Sequence, residues 1–338
     1  MKRRVLYLCL SAMLVLGTVL SACAPQVTPT AVPVQPTKAV EPTKVAATAA
    51  PSKKLTLALV TKALDNPFWG YMHDAATKLA AEKGFELIYL APTKANNLEE
   101  QTRLVDDLIQ KKVDGIVLVP VDTKGMVAAV ERANAAGVPV AISNTRLAGG
   151  KIVTFAAIEN YDAMTLVTEY MVKKLGEKGK VIILEGTAGA QTAIDRKRAQ
   201  DDVLKKYPNI TVLASQTAEF SRATALQVME NLLQTYPEIA AVVCGNDEEA
   251  LGAIEALKAA NRLDKTLVAG FDANADALKA VMEGRMAVTC DQRPDLQANQ
   301  ALQAILDQLA GKTVEARTKI TATLVDKANV DQYAYRLK

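Results

Sequence analysis

The chain has 338 residues, 40 Lys plus Arg against 37 Asp plus Glu, and 50% hydrophobic residues. A charge this close to balance argues against nucleic-acid binding, which requires a clustered basic face, and the length allows a large buried core in two lobes. Four cysteines and one histidine leave little material for a metal centre or a disulfide framework.

In chain order, Lys2, Arg3 and Arg4 precede an apolar run from Val5 to Leu20 that is too short for a comfortable membrane span. Leu20-Ser21-Ala22-Cys23 then resembles the lipobox of bacterial lipoproteins. The resemblance implies a signal peptide over residues 1–22, cleavage before Cys23 and acylation of that cysteine, an anchor that two or more chains make stable. Residues 23–52 are rich in Pro, Thr and Ala, carry six prolines and lack aromatics, so they predict an extended tether. The expected location is outside the cytoplasmic membrane, held to it by lipid.

From Leu55 short runs of Val, Ile and Leu alternate with amphipathic stretches. Strands are predicted at Leu55–Val60, Glu86–Leu90, Gly115–Val119, Val138–Ile142, Lys180–Leu184, Thr211–Ala214, Ala240–Cys244 and Thr266–Gly270. Helices are predicted at Phe68–Lys83, Leu98–Lys112, Thr123–Ala136, Asp162–Leu175 and Glu248–Asn261, with Gly84, Gly137 and Gly176 closing three of them. Such β-α alternation specifies parallel sheets covered by helices on both faces, an α/β doubly wound architecture. Cys244 and Cys290 fall in apolar surroundings and read as buried free thiols more readily than as a disulfide.

No glycine-rich nucleotide fingerprint follows the first strand, so the place to look is the carboxyl ends of the strands. Asn66-Pro67 reads as a helix cap and first-turn pair, which puts Phe68 and Trp69 on the first turn. Later strand ends give Asn144 and Arg146, Arg196 after Gly186, Phe220, Gly245-Asn246-Asp247-Glu248, Gly270-Phe271-Asp272, and Asp291-Gln292. Each alone is a turn, cap or core residue; their recurrence at nearly every strand end points to a ligand.

These motifs, with Asn66-Pro67-Phe68 and Ala250-Leu251-Gly252, resemble the periplasmic sugar-binding proteins of ABC transporters, the ribose and galactose group, from Leu55 to about Val325. The resemblance implies a type I periplasmic binding protein, with two lobes joined by three crossovers. They would be 53–158 plus 293–321, and 159–292 plus 322–338. It further implies that Asn66, Phe68, Trp69, Asn144 and Arg146 serve a sugar from the first lobe. Arg196, Phe220, Asn246, Phe271, Asp272 and Gln292 would serve it from the second lobe and hinge. Aromatic faces suit the C–H faces of a sugar ring, and Asp, Asn, Gln and Arg suit its hydroxyls. Three positions depart from the ribose pattern: Asn144-Thr145 replaces an Asp-Arg pair, Val119 an Asn, and Lys62 a small polar residue. Another monosaccharide or a polyol therefore suits the site at least as well as ribose, and Lys62 with Arg146 would admit an acidic group.

The expected function is ligand capture by hinge closure and delivery to permease subunits, by a monomer without cofactor or metal. Presentation of ligand to a chemotaxis or quorum-sensing receptor is the alternative. An enzyme is disfavoured: His73 is expected at the surface, and an Asp247/Asp272 pair is the nearest thing to glycoside chemistry. A DNA-binding regulator of the same fold would carry a helix-turn-helix where this chain has its leader.

Overall fold

The computed structural model describes residues 25–26 and 53–337, apart from Asp65, Lys94 and Ala95. The leader, Cys23 and most of the tether lie outside the described residues. The chain from Ser52 onward forms one unit. Its elements are β1 (Thr56–Val60), α1 (Pro67–Lys83), β2 (Glu86–Leu90), α2 (Leu98–Gln110), β3 (Gly115–Leu118), α3 (Val127–Ala135), β4 (Val140–Ser143) and β5 (Phe155–Ile158). There follow α4 (Asn160–Lys174), β6 (Gly179–Glu185), α5 (Gln191–Leu204), β7 (Ile210–Thr217), α6 (Arg222–Thr235), β8 (Ala241–Cys244) and α7 (Asp247–Ala259). The last are β9 (Leu267–Ala269), α8 (Ala275–Met282), β10 (Val288–Asp291), α9 (Pro294–Leu309), β11 (Arg317–Ile320) and β12 (Thr323–Asp326).

Two six-stranded sheets result, in the orders β11-β5-β4-β3-β1-β2 and β12-β10-β9-β8-β6-β7. The first is parallel throughout; in the second, β12 alone runs antiparallel, against β10. β3, β4 and β8 are buried at every position, which is why their sequences are continuous apolar runs with no alternation. Apolar clusters form on both faces of each sheet, and Cys244 and Cys290 sit in the second lobe's core as free thiols.

The strand-to-helix transition after β1 is locally encoded. Asn66 Oδ1 accepts the Phe68 amide at 2.9 Å, and Pro67 takes a first-turn position whose missing N–H costs nothing. Gly84 ends the helix at φ 76°, a conformation its lack of a Cβ permits.

Three departures from the predicted elements have physical causes. The helix expected from Thr123 starts at Val127, because Asp122 Oδ1 captures the amides of Lys124 and Gly125 at 2.8 and 2.6 Å and holds them in a turn. β5, β10, β11 and β12 were not among the predicted strands; in β5, Phe-Ala-Ala-Ile has little β-branched character and becomes a strand by pairing with β4 and β11. His73, expected at the surface, is partly buried, its ring stacked on Tyr89 at 4.1 Å.

The chain passes between the sheets three times: between β5 and α4, between β10 and α9, and between β11 and β12. Arg317 ties down the first passage, donating to the carbonyls of Phe155, Ala157 and Ile158 and to Glu159 Oε1. The second is held from the carboxyl-terminal segment, where Arg336 bonds Asp291 Oδ1 at 2.8 Å with both side chains buried. Removing one member of a buried pair strands the other charge. Arg336→Ala is therefore expected to lose about 3–5 kcal/mol of unfolding free energy in urea titration. A loss below about 1 kcal/mol would show that the pair anchors nothing.

Candidate functional site

The carboxyl ends of both sheets face a cavity of about 380 Å³. Asn66, Phe68, Trp69 and Asn144 line it from the first lobe, and Arg196, Phe220, Asn246, Asp272 and Gln292 from the second lobe and the β10–α9 passage. Two expected members do not line it. Arg146 is exposed, lies over the Phe155 ring at 5.5 Å, and borders a separate small crevice. A cation that can rest on an aromatic face outside the cleft gains from doing so. Phe271 is fully buried, and its ring is the floor on which the Arg196 guanidinium rests at 4.0 Å.

Phe68 and Trp69 both pack in the first lobe's core and border the cavity, meeting edge to face at 4.8 Å. The core and site readings of these aromatics are thus compatible. Across from them Phe220 sits against the backbone of Gly186; a Cβ there would fall 2.0 Å from the Phe220 ring, so only glycine allows the approach.

Arg196 is 3% exposed, and two of its three guanidinium nitrogens are bonded to protein. Its Nε donates to Asn160 Oδ1 at 2.9 Å, its Nη1 to the Gly245 carbonyl at 2.8 Å, and Phe220 lies 5.6 Å to one side. Burial works against its charge, and Asp272 supports it. Asp272 Oδ1 accepts from Gln292 Nε2, and Gln292 Oε1 accepts from Asn144 Nδ2 at 3.3 Å, a relay from one lobe to the other through the β10–α9 passage.

Glu249 was missed, although Asn246-x-x-Glu249 is a capping-box spacing visible in the sequence. Glu249 Oε2 accepts the amides of Gly245 and Asn246, and Oε1 accepts that of Phe220 at 2.8 Å. One carboxyl thereby positions three residues of the wall. Asp247, by contrast, is fully buried behind the wall, bonded to Thr289 Oγ1 at 2.6 Å and to the Asn274 amide at 2.8 Å. It cannot pair with Asp272 across a scissile bond. Lys62, Asn96, Thr192, Glu219, Arg222 and Glu248 also line the cavity. Arg222 is occupied by Glu248 at 2.9 Å and by Asp276 at 3.3 Å. Among the described residues no group of His, Cys, Asp or Glu could hold a metal ion.

The family model described as "Periplasmic binding protein domain" matches residues 57–313. The chain belongs to that family. It is 36% identical over 263 residues to the ribose import binding protein RbsB of Bacillus subtilis (strain 168), across 78% of this chain and 84% of that one. It is 34% identical over 286 residues to the D-apiose import binding protein of Paraburkholderia graminis, across 83% and 91%. Among solved structures, an ABC transporter solute binding protein of Bacillus halodurans with bound myo-inositol superposes at TM-score 0.79 with 32% identity, covering 86% of this chain and all of that one. A periplasmic solute binding protein of Actinobacillus succinogenes with bound D-allose gives TM-score 0.79 and 31% identity, covering 83% and 100%. The fold is the two-lobed, three-crossover type I architecture. The family is one of solute-binding transport proteins rather than enzymes.

The buried carboxyls make a pH signature. Burial pushes Asp247 up to about 7 and Glu249 up to about 8, and holds Asp272 well above the ordinary carboxylate range. Each keeps its proton in the native state at pH values where the unfolded chain has lost it. Native stability therefore declines as pH rises from each group's ordinary value toward its raised one. Lys62, pushed down to about 7 chiefly by its own burial, acts in the opposite sense above that pH. The expected result is a melting temperature that falls between pH 4.5 and 7, the span bounded by the ordinary glutamate value and by Lys62. A flat or rising profile in differential scanning calorimetry would contradict it.

Proposed function

We propose that this chain is the extracytoplasmic substrate-binding lipoprotein of an ABC importer, anchored through Cys23. Its ligand is a monosaccharide or polyol, captured as a monomer by hinge closure and delivered to the permease. The observation that carries the reading is the composition of the cleft. Aromatic rings from both lobes (Phe68, Trp69, Phe220) face planar polar groups (Asn66, Asn144, Asn246, Asp272, Gln292, Arg196) across a space of single-sugar size. Relatives named for ribose, D-apiose and D-allose, and the neighbour bound to myo-inositol, support a polyhydroxylated ligand.

Closure is supported by bonds that join the lobes on both sides of the cleft. Near one edge the Thr123 amide donates to Gly189 O at 3.2 Å, and Thr123 Oγ1 accepts the Gln191 amide at 3.0 Å. Near the other, Tyr71 Oη accepts the Ala275 amide at 3.2 Å, and Asn66 Oδ1 accepts from Asn274 at 3.4 Å. A ligand that touches both lobes adds its own bonds to these and so favours the closed form by differential affinity; closure of periplasmic binding proteins is a standard example of hinge motion.

Protein lacking residues 1–52 is expected to show a thermal shift with one or a few sugars or polyols; silence across a broad panel would end the sugar reading. Asp272→Ala should abolish that shift while leaving the unliganded fold intact, and retained affinity would remove Asp272 from the site. Tyr71→Phe should weaken ligand binding by roughly fivefold in calorimetry, the effect of one neutral hydrogen bond near 1 kcal/mol, with no contact to ligand changed. An unaltered affinity would show that this edge does not contribute to closure. Cys23→Ser should move the protein from the membrane fraction to the soluble fraction, and persistence in the membrane would exclude the lipid anchor.

A further inference from the structure

Among the described residues, the first lobe places one charged group in the cavity, the amine of Lys62, and the protein offers it no partner. Lys62 lies two residues past the end of β1, is 4% exposed, and makes no hydrogen bond or ion pair with any described residue. Most charged groups opposite it are engaged, the exception being the carboxylate of Glu219, an exposed residue between β7 and α6. Arg222 is held by Glu248 and Asp276, Asp272 by Gln292, and two nitrogens of Arg196 by Asn160 and Gly245. The carboxylate acting favourably on the amine is Asp122, whose Oδ1 is taken up by the Lys124 and Gly125 amides. Arg196 acts on it unfavourably. A cation removed from water and left unanswered is costly, and such a group inside a ligand cavity marks where the ligand must supply the answer.

We infer that Lys62 is the specificity-determining anchor for an acidic group, and that the solute is a sugar acid, a monosaccharide or polyol bearing one carboxylate. The inference rests on the sugar-site reading and narrows it. The cleft is polarised in the way such a ligand is polarised. Lys62 stands on the first lobe, while Asp272, Gln292 and Asn246 on the other side suit hydroxyls. A phosphate fits less well, because a dianion calls for several charged donors, while Arg222 is held by Glu248 and Asp276 and Arg196 keeps only Nη2 unbonded among the described residues. A single ammonium, a compact point charge, matches a single carboxylate. Nothing else in the cleft requires a lysine: a neutral hydroxyl would be met equally well by a serine or asparagine, without the cost of burying a charge.

The test uses the full chain purified in mild detergent and isothermal titration with matched probe pairs: D-gluconate against D-glucitol, D-galacturonate against D-galactose, and D-ribonate against D-ribose. The acid of at least one pair is expected to bind at least about tenfold more tightly than its neutral partner. Lys62→Met, which keeps the chain length and removes the charge, should erase that preference while melting no lower than the parent. Tighter binding of the neutral member in every pair would overturn the assignment and leave the sugar reading standing. Equal loss of acid and neutral ligand in Lys62→Met would also overturn it, by reducing Lys62 to a packing role. Silence toward all three acids, with a thermal shift from a neutral sugar or polyol of the broader panel, would overturn the inference and leave the sugar reading standing.

Discussion

One buried carboxyl, that of Glu249, holds the second lobe's face of the cleft in shape. Its two oxygens gather the amides of Gly245, Asn246 and Phe220, which belong to two separate strand ends. The Gly245 carbonyl, fixed by that arrangement, in turn receives Arg196, and Arg196 lies flat on Phe271. A single side chain on the first turn of α7 thereby sets the positions of an aromatic wall, an amide and a guanidinium. Because the carboxyl is buried, it is also a group that resists ionisation, which is the physical origin of the acid-favouring stability of this half of the molecule.

The backbone around the cleft is strained where the side chains must be aimed. Asn144, Phe220 and Arg293 adopt φ values of 59°, 58° and 54°, and Asp272 reaches 141°, all without the freedom of glycine. Such conformations cost of order 1–3 kcal/mol each and persist when their surroundings over-determine them. Here the surroundings are known: Glu249 fixes Phe220, and the pairing of Asp272 with β10 through Cys290 O and Gln292 fixes Asp272. The strain buys preorganisation, since a ligand then meets groups already placed.

The architecture was legible because parallel strands buried on both faces are written as uninterrupted apolar runs, and the cap at Asn66 because its chemistry is local. About half of the cavity lining was legible for a related reason: strand carboxyl ends are where an open sheet exposes its termini to a ligand. What escaped depends on through-space partners. Arg146 and Arg196 are equally plausible in sequence, yet one finds Phe155 outside the cleft and the other Phe271 beneath it. Asp247 and Glu249, two residues apart on one helix, separate into a bracket behind the sheet end and a bracket beneath Phe220. That Lys62 has no partner among the described residues could be learned only by seeing which side chains reach it.

The two faces of the cleft differ in how they can change. The second-lobe face is interlocked, so that altering Glu249, Gly186 or Arg196 disturbs several others at once. On the first-lobe face, Lys62 and Ala63 border the same cavity without belonging to that network. Substitutions there would alter what is recognised while leaving the scaffold and its closing motion in place. A lineage built on such a cleft can acquire new solutes one residue at a time, keeping an unvarying half as the frame against which each new preference is tried.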